Sequence, residues 1–174
     1  MSPLTSVDRK KTAVICMDYQ IMNLGALPKE KANMLISNAN KVMAAARKKG
    51  VQVIFIEIQK GERTPETEIH PQMVRLPSEL VFTKKKSAPF STTNFDEKMK
   101  KAGIDTLVIM GIYTGGCVVS TVKWAAEMDY NMFVLSDCCA EHDDEFHKVL
   151  MEKLLTHKAT VVTANGFIDI LAKI

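Results

Sequence analysis

The chain reads as an α/β protein, a three-layer α/β/α arrangement around a mostly parallel sheet of about six strands. Three observations predict this. Apolar, strand-like runs alternate with amphipathic helical stretches along the chain. The runs are continuously apolar, as strands covered by helices on both faces must be. A length of 174 residues suits one domain, 1–174, with a sizeable core.

The elements follow in order. Thr12 to Met17 is the first strand, and a loop through Leu24-Gly25-Ala26-Leu27-Pro28 leads out of it. Lys29 to Lys49 repeats apolar residues at helical spacing (Met34, Leu35, Ala39, Val42, Met43, Ala46) and stops at Gly50. Val51 to Ile58 is a β-branched strand. Gln59 to Ser78 is polar, carries Pro65, Pro71 and Pro77, and has no period, so it reads as a long functional loop. Leu80 to Thr83 is a short strand and Asn94 to Lys101 a helix stopped by Gly103. Thr106 to Met110, Met132 to Ser136 and Thr160 to Thr163 complete the strands. Helices are expected over Cys117–Met128, over Asp143–Thr156 and in the tail after Asn165. No internal repeat, linker or low-complexity segment interrupts the series.

Composition excludes several classes. Hydrophobic residues make up 47% and charged residues 25%, with a net charge of +3 and the two signs mixed along the chain. Neither nucleic acid nor an anionic membrane is expected as a partner. No apolar run approaches the ~20 residues of a membrane span. The polar start, Met1 to Lys11, does not read as a secretory signal. Four cysteines without regular spacing point to reduced thiols and a cytoplasmic protein.

Cys117 is the residue most suggestive of chemistry. It closes the run Met110-Gly111-Ile112-Tyr113-Thr114-Gly115-Gly116-Cys117-Val118, just after a buried strand and at the start of a helix. Backbone N–H groups and the helix dipole favour negative charge there, so a thiolate is expected. Asp18 ends the first strand and Lys84 follows the third, and both arrive at the same sheet edge, where α/β proteins bind ligands. The glycine-rich turn does not read as a phosphate cradle. G-x-G-x-x-G is absent after the first strand, where Asp18-Tyr19-Gln20 stands, and the Gly111 turn lacks a Lys-Ser/Thr ending. No nucleotide or other cofactor is expected.

These residues resemble the isochorismatase-like cysteine hydrolases, whose fold is Rossmann-like. The similarity rests on D-x-Q (Asp18-Tyr19-Gln20), on a lysine ahead of an S-A-F-like segment, and on G-x-x-T-x-x-C-V (Gly111, Thr114, Cys117, Val118). A strand ending in aspartate (Leu135-Ser136-Asp137) follows. The resemblance implies a catalytic Asp18–Lys84–Cys117 triad. It also implies an oxyanion hole from the amides of Tyr113 and Cys117, with a cis Ile112–Tyr113 bond turning the first donor inward. Gln20, Phe90 and Ile112 would help to form the substrate pocket. The family pattern places the lysine six residues before phenylalanine and nine before threonine. Phe90 and Thr93 both select Lys84, although Pro89 departs from the pattern; Lys85 and Lys86 read as solvated.

The three residue types suit one reaction. A free thiol titrates near ~8.5 and is mostly protonated at neutral pH. A neighbouring ammonium and a helix N-terminus lower that pKa, and a carboxylate can accept the proton and return it to a leaving amine. A cysteine hydrolase cleaving a C–N bond of a small amide, ureido or carbamoyl compound through a thioester is therefore expected. Isochorismatases proper, by the resemblance, hydrolyse a vinyl ether without needing a cysteine, and that activity stands as an alternative. So does a thiol redox or small-molecule binding role using Cys117 with Cys138 or Cys139, although no C-x-x-C is present. A homo-oligomer, dimer or tetramer, is implied by the resemblance.

The remaining candidates read as structural. Cys16 falls in a buried strand, Cys138 and Cys139 are adjacent buried thiols, and Trp124 belongs to the core. His142, His147 and His157 surround a surface helix and are expected to be solvated. Asp137 suits either the pocket or a strand-end cap. Nicotinamidases of the family carry a metal site with D-x-H and a further histidine after the second strand. Here Ile58-Gln59-Lys60-Gly61-Glu62-Arg63 stands with His70 alone, so no metal is expected.

Overall fold

A computed structural model describes residues 3–174; Met1 and Ser2, which open the polar start, lie outside the described residues. Thr12–Met17 (β1) is buried at every residue, as a central strand between two helical layers must be. The other strands are Gln52–Ile58 (β2), Val81–Lys84 (β3), Thr106–Ile112 (β4), Asn131–Ala140 (β5) and Thr160–Val162 (β6). They form one sheet in the order β3-β2-β1-β4-β5-β6. Every adjacent pair is parallel. The order reverses between β1 and β4, and the loops leaving those two strands diverge to opposite sides. A crevice opens there at the carboxyl ends.

The helices are Ile21–Gly25 (α1), Lys29–Lys48 (α2), Phe95–Lys101 (α3), Val119–Glu127 (α4), Asp144–Val149 (α5) and Ala164–Ala172 (α6). The long α2 turns Leu35, Ile36, Ala39, Val42, Met43 and Ala46 inward. Each of its large apolar side chains contributes roughly 1.5–3 kcal/mol on burial. It packs on α6, and both rest on β5. Around α3, Phe95 meets the edges of Phe82 and Phe90 at ring separations of 5.3 and 5.1 Å. Among the described residues no helix is long and apolar enough to cross a membrane.

Several elements differ from the sequence expectation. The exit from β1 contains the short helix α1 where a loop was expected, because the chain turns straight into a helical turn after Gln20. β5 does not end at Asp137 but continues to Ala140. A register shift between Ile109 and Gly111 lets it pair again, with Gly111 opposite Cys139. The helix expected over Asp143–Thr156 is α5 followed by a π-helical turn, Leu150–Leu154, and a 3₁₀ turn, Leu155–His157. Cys117 lies in a π-helical turn, Thr114–Val118, that precedes α4. Trp124 is 44% exposed and does not belong to the core.

Gln20 has a structural task. Its amide donates to the carbonyls of Ile58 and Thr67, at 2.9 and 2.6 Å, and accepts from the Ile58 N–H at 2.8 Å. The exit of β1, the end of β2 and the following loop are thereby tied together in a fully buried place. Replacing Gln20 with leucine orphans three backbone groups, and such groups cost about 1–3 kcal/mol each. Gln20→Leu is expected to lower the unfolding free energy by about 3 kcal/mol. Urea denaturation at constant m-value measures this. A loss under about 1 kcal/mol would show that water or a rearranged loop satisfies the backbone instead.

Candidate active site

Asp18 is the first residue past β1 and adopts a left-handed conformation, φ 58°, which aspartate tolerates better than most residues. Its N–H donates to the Ile56 carbonyl at 2.8 Å, and its own carbonyl accepts from the Asn23 amide at 2.9 Å. The side chain is thus aimed from a fixed backbone into the crevice between β1 and β4. Lys84 ends β3, opposite Ile58 of β2. It must reach across β2, about 10 Å at the usual strand spacing, and only a long side chain can do so. Its ammonium donates to Asp18 Oδ2 at 2.7 Å and to the Ser87 carbonyl at 2.7 Å. Lys84 has no exposed surface, whereas Lys85 and Lys86 face solvent.

Cys117 completes the cluster from the other side of the switch point. Its thiol, 4% exposed, points back toward the Tyr113 carbonyl at 3.6 Å. Gly111 makes room for it. A Cβ there would stand 3.2 Å from Cys117 Sγ and 3.0 Å from Met17 Cβ, so any larger residue would displace the sulfur or β1. The Ile112–Tyr113 bond is cis. Thr114, fully buried, hydrogen-bonds His147 Nδ1 at 2.8 Å. The glycine, threonine and cysteine of G-x-x-T-x-x-C therefore each have a separate physical reason.

The electrostatics differ from the expectation of a free thiolate. Burial pushes the Cys117 thiol well above its ordinary range, and the Asp18 carboxylate raises it further; Lys84 lowers it but does not prevail. Burial also raises Asp18, against the opposing pull of Lys84 and of the Cys117 thiol. The resting cluster is then a neutral thiol beside a carboxylate–ammonium pair. Moving the proton from sulfur to Asp18 leaves the net charge of the buried cluster unchanged. It avoids the Born penalty that creating a new isolated charge would carry.

A cleft of about 400 Å³ opens over these groups. Ile112, Tyr113 and Gly116 line one wall, Met22 and Asn23 a second, and Ile58 to Glu62 with Thr67 a third. The structure brings Asp18, Lys84, Cys117, Tyr113 and Ile112 together, as expected. Two expected pocket residues are elsewhere. Gln20 spends its amide on the backbone, and Phe90 is buried against Phe95 and Tyr130. Met22 and Asn23 join the lining from α1; the sequence pointed to the segment after β1 as a pocket wall without singling out these two side chains. Asp137 caps α6 by accepting from the Ala164 N–H at 2.6 Å and lies outside the cleft lining.

Cys16, Cys138 and Cys139 are buried free thiols, with Cys139 pushed up to about 12 by burial. His70 accepts from the Gln72 N–H at 3.3 Å in a separate surface cleft beside Glu57 and Arg63. Among the described residues no group of three histidine, cysteine, aspartate or glutamate side chains is placed to hold a metal ion.

Comparison with known proteins identifies the family and the fold. The model of the isochorismatase domain matches residues 12–166, and the chain belongs to the isochorismatase family. It is an isochorismatase-family hydrolase by that membership and by its relatives. It is 24% identical to the ureidoacrylate amidohydrolase RutB of Pantoea ananatis, over 92% of this chain and 82% of that protein. It is also 24% identical to the phenazine biosynthesis protein PhzD1 of Pseudomonas aeruginosa, over 94% of this chain and 88% of that one. A cysteine hydrolase from Pseudomonas syringae pv. phaseolicola has the same fold, with a TM-score of 0.89, 19% identity, and coverage of 96% of this chain and 95% of its own.

Lys84 is the one lysine of its run inside the cluster, and labelling can isolate its effect. Lys84→Ala removes the cation that lowers the thiol and leaves the Asp18 charge to raise it unopposed. Iodoacetamide labelling of Cys117 at neutral pH is then expected to slow several-fold. Lys85→Ala and Lys86→Ala should stay within about twofold, since exposed charges are screened by solvent and salt. Slowing by Lys85→Ala or Lys86→Ala, with Lys84→Ala unaffected, would remove Lys84 from the cluster's electrostatics.

Proposed function

We propose that the protein is a cysteine hydrolase that cleaves a C–N bond in a small amide, ureido or carbamoyl compound. The observation that carries this is the charge-neutral Asp18–Lys84–Cys117 cluster at the floor of the cleft. The amidohydrolase relative, whose name specifies a ureido substrate, supports the substrate class.

In this reading Cys117 Sγ attacks the carbonyl carbon while its proton passes to Asp18. The carbonyl π electrons move to oxygen, and the amides of Tyr113 and Cys117 receive the oxyanion. The intermediate collapses, the C–N bond breaks, and Asp18 returns the proton to the leaving nitrogen. A water then attacks the thioester carbon, gives its proton to Asp18, and releases the acid; the proton returns to sulfur. Lys84 keeps Asp18 ionised between these transfers and holds its carboxylate in place. The sum is amide plus water giving acid plus amine.

The raised Asp18 has a consequence for the pH profile. Attack requires the ionised carboxylate, so kcat/KM should rise with pH along an acid limb whose midpoint lies above 3.8, the ordinary aspartate value. A midpoint at or below that value would show that Asp18 is not the proton acceptor.

We also propose a homo-oligomer, dimer or tetramer, in a cytoplasmic setting. Phe146 and Val149 on α5 remain 49% and 51% exposed, apolar area that a second copy would cover. Light scattering is expected to give a multiple of 19.4 kDa. A fully active monomer, stable on dilution, would remove the proposal.

The decisive test of the chemistry is Cys117→Ala against a panel of amides, ureas and carbamates. Loss of a covalent nucleophile is expected to reduce kcat by about 10⁴-fold or more, with the fold intact by circular dichroism. Appreciable turnover by the alanine variant on any compound the parent cleaves would refute the covalent route.

A further inference from the structure

The turn that carries Cys117 is gripped on its outer side by the segment that follows β5. Glu141, the first residue past that strand, accepts the Gly115 N–H at Oε2, 2.9 Å, and the His142 N–H at Oε1, 3.1 Å. Its own carbonyl accepts from Lys31 Nζ of α2 at 2.8 Å, and Lys31 also pairs with Asp144. The contact is tight. A Cβ on Gly115 would stand 3.1 Å from Glu141 Oε2 and 3.0 Å from the Phe146 ring, so a larger residue there would push the carboxylate or the ring back by a few tenths of an ångström. One turn of α5 further on, His147 bonds the buried Thr114 hydroxyl at 2.8 Å. The His142 ring stacks on Tyr113 at 4.3 Å.

These contacts fall on Tyr113, Thr114 and Gly115, the residues between the strand end and the nucleophile. None of the gripping side chains lines the floor of the cleft. We propose that Glu141 and His147 are positioning residues, which fix the turn so that the Cys117 thiol and the amides beside it hold a productive geometry. The proposal rests on the hydrolase reading for its effect on turnover, but its effect on the turn is independent of any substrate.

Glu141→Gln is the informative change. A carboxylate offers an acceptor to each N–H, whereas an amide offers one acceptor and presents its NH₂ to the other donor. The charge that remains around His147 after this change is Lys31 on α2 and Asp144 on α5. Burial and Lys31 hold the imidazole below its ordinary 6.5, so it is neutral under assay conditions near pH 8. His147→Leu removes the partner of Thr114, and His147→Asn keeps a polar atom near the position of Nδ1.

Each variant is assayed for kcat and KM on the compounds the parent cleaves, and for iodoacetamide labelling of Cys117 by peptide mass. Glu141→Gln and His147→Leu are expected to lower kcat at least about tenfold with KM within about twofold, as a small misplacement of a reacting group does. Labelling of the folded protein should slow in both, and His147→Asn should recover most of the kcat. A merely structural role would loosen the turn and speed labelling instead. Faster labelling, unchanged kcat, or a change confined to KM would each overturn the proposal. If the parent cleaves nothing in the panel, the hydrolase reading fails, but slowed labelling still supports the grip and unchanged labelling refutes it. If Glu141→Gln does not fold, the contrast between His147→Leu and His147→Asn decides.

Discussion

A carboxylate and an ammonium share a place with almost no access to water, and much of the local architecture exists to make that tolerable. Desolvating two ions costs several kcal/mol each, and mutual attraction offsets the cost only where the geometry is good and the remaining valences are filled. Lys84 meets this condition with Asp18 at 2.7 Å and a second acceptor, the Ser87 carbonyl, at the same distance. Asp18 meets it on one oxygen only; Oδ1 has no hydrogen-bond partner. The Cys117 thiol lies in the same cleft and helps to hold the Asp18 ionisation down against burial. In the proposed mechanism this unpaired oxygen is the one free to accept the thiol proton.

The sheet order supplies the rest. Because β3, β2 and β1 lie consecutively, Lys84 approaches Asp18 from one side along the carboxyl edge. Because β4 is the next neighbour of β1, its outgoing turn delivers Cys117 from the other. No loop has to cross the site to bring the three together. Met17 and Gly111 are Cα partners in the β1–β4 ladder, so Asp18 and the turn that carries Cys117 leave adjacent strands at the same end of the sheet. A slip of one residue in that register would reverse the faces of one strand relative to the other and carry Asp18 away from the turn.

Much of this was legible in the residues. β1 has its observed bounds, and β2 and the long α2 are right to within a residue, because unbroken β-branched runs and helical spacing are strong signals. Lys84 was separable from Lys85 and Lys86 only through the resemblance, whose pattern sets the spacing to Phe90 and Thr93. The failures share a cause. Gln20 and Phe90 were placed in the pocket by the resemblance and Trp124 in the core by residue type, and neither ground reveals whether an amide meets substrate or backbone, or whether a ring faces core or solvent. His147 read as a solvated histidine because its partner, Thr114, is 33 residues away in sequence and meets it only after β5 is in place. The extension of β5 past Asp137 depends on a bulge, and no local pattern announces one.

On the proposed reading, the groups that perform the chemistry are distinct from those that choose the substrate. The wall formed by residues 58–62 and Thr67 is tied down by its own contacts. Gln20 holds both ends of it, and Arg63 clasps the buried Glu57 of β2, which Thr83 also engages at 2.8 Å. The turn bearing Cys117 is fixed on the far side by Glu141 and His147, which share none of those contacts. Sites with no common partners respond to mutation almost additively. The Gln59 N–H joins the wall to the Lys84 carbonyl at 2.9 Å, so it is the exposed side chains, such as Lys60 and Glu62, that can change without disturbing the cluster at the floor. A family that keeps one cluster while altering this wall can reach different small substrates on a single sheet, since specificity lies in the pocket contacts and rate in the geometry beneath them.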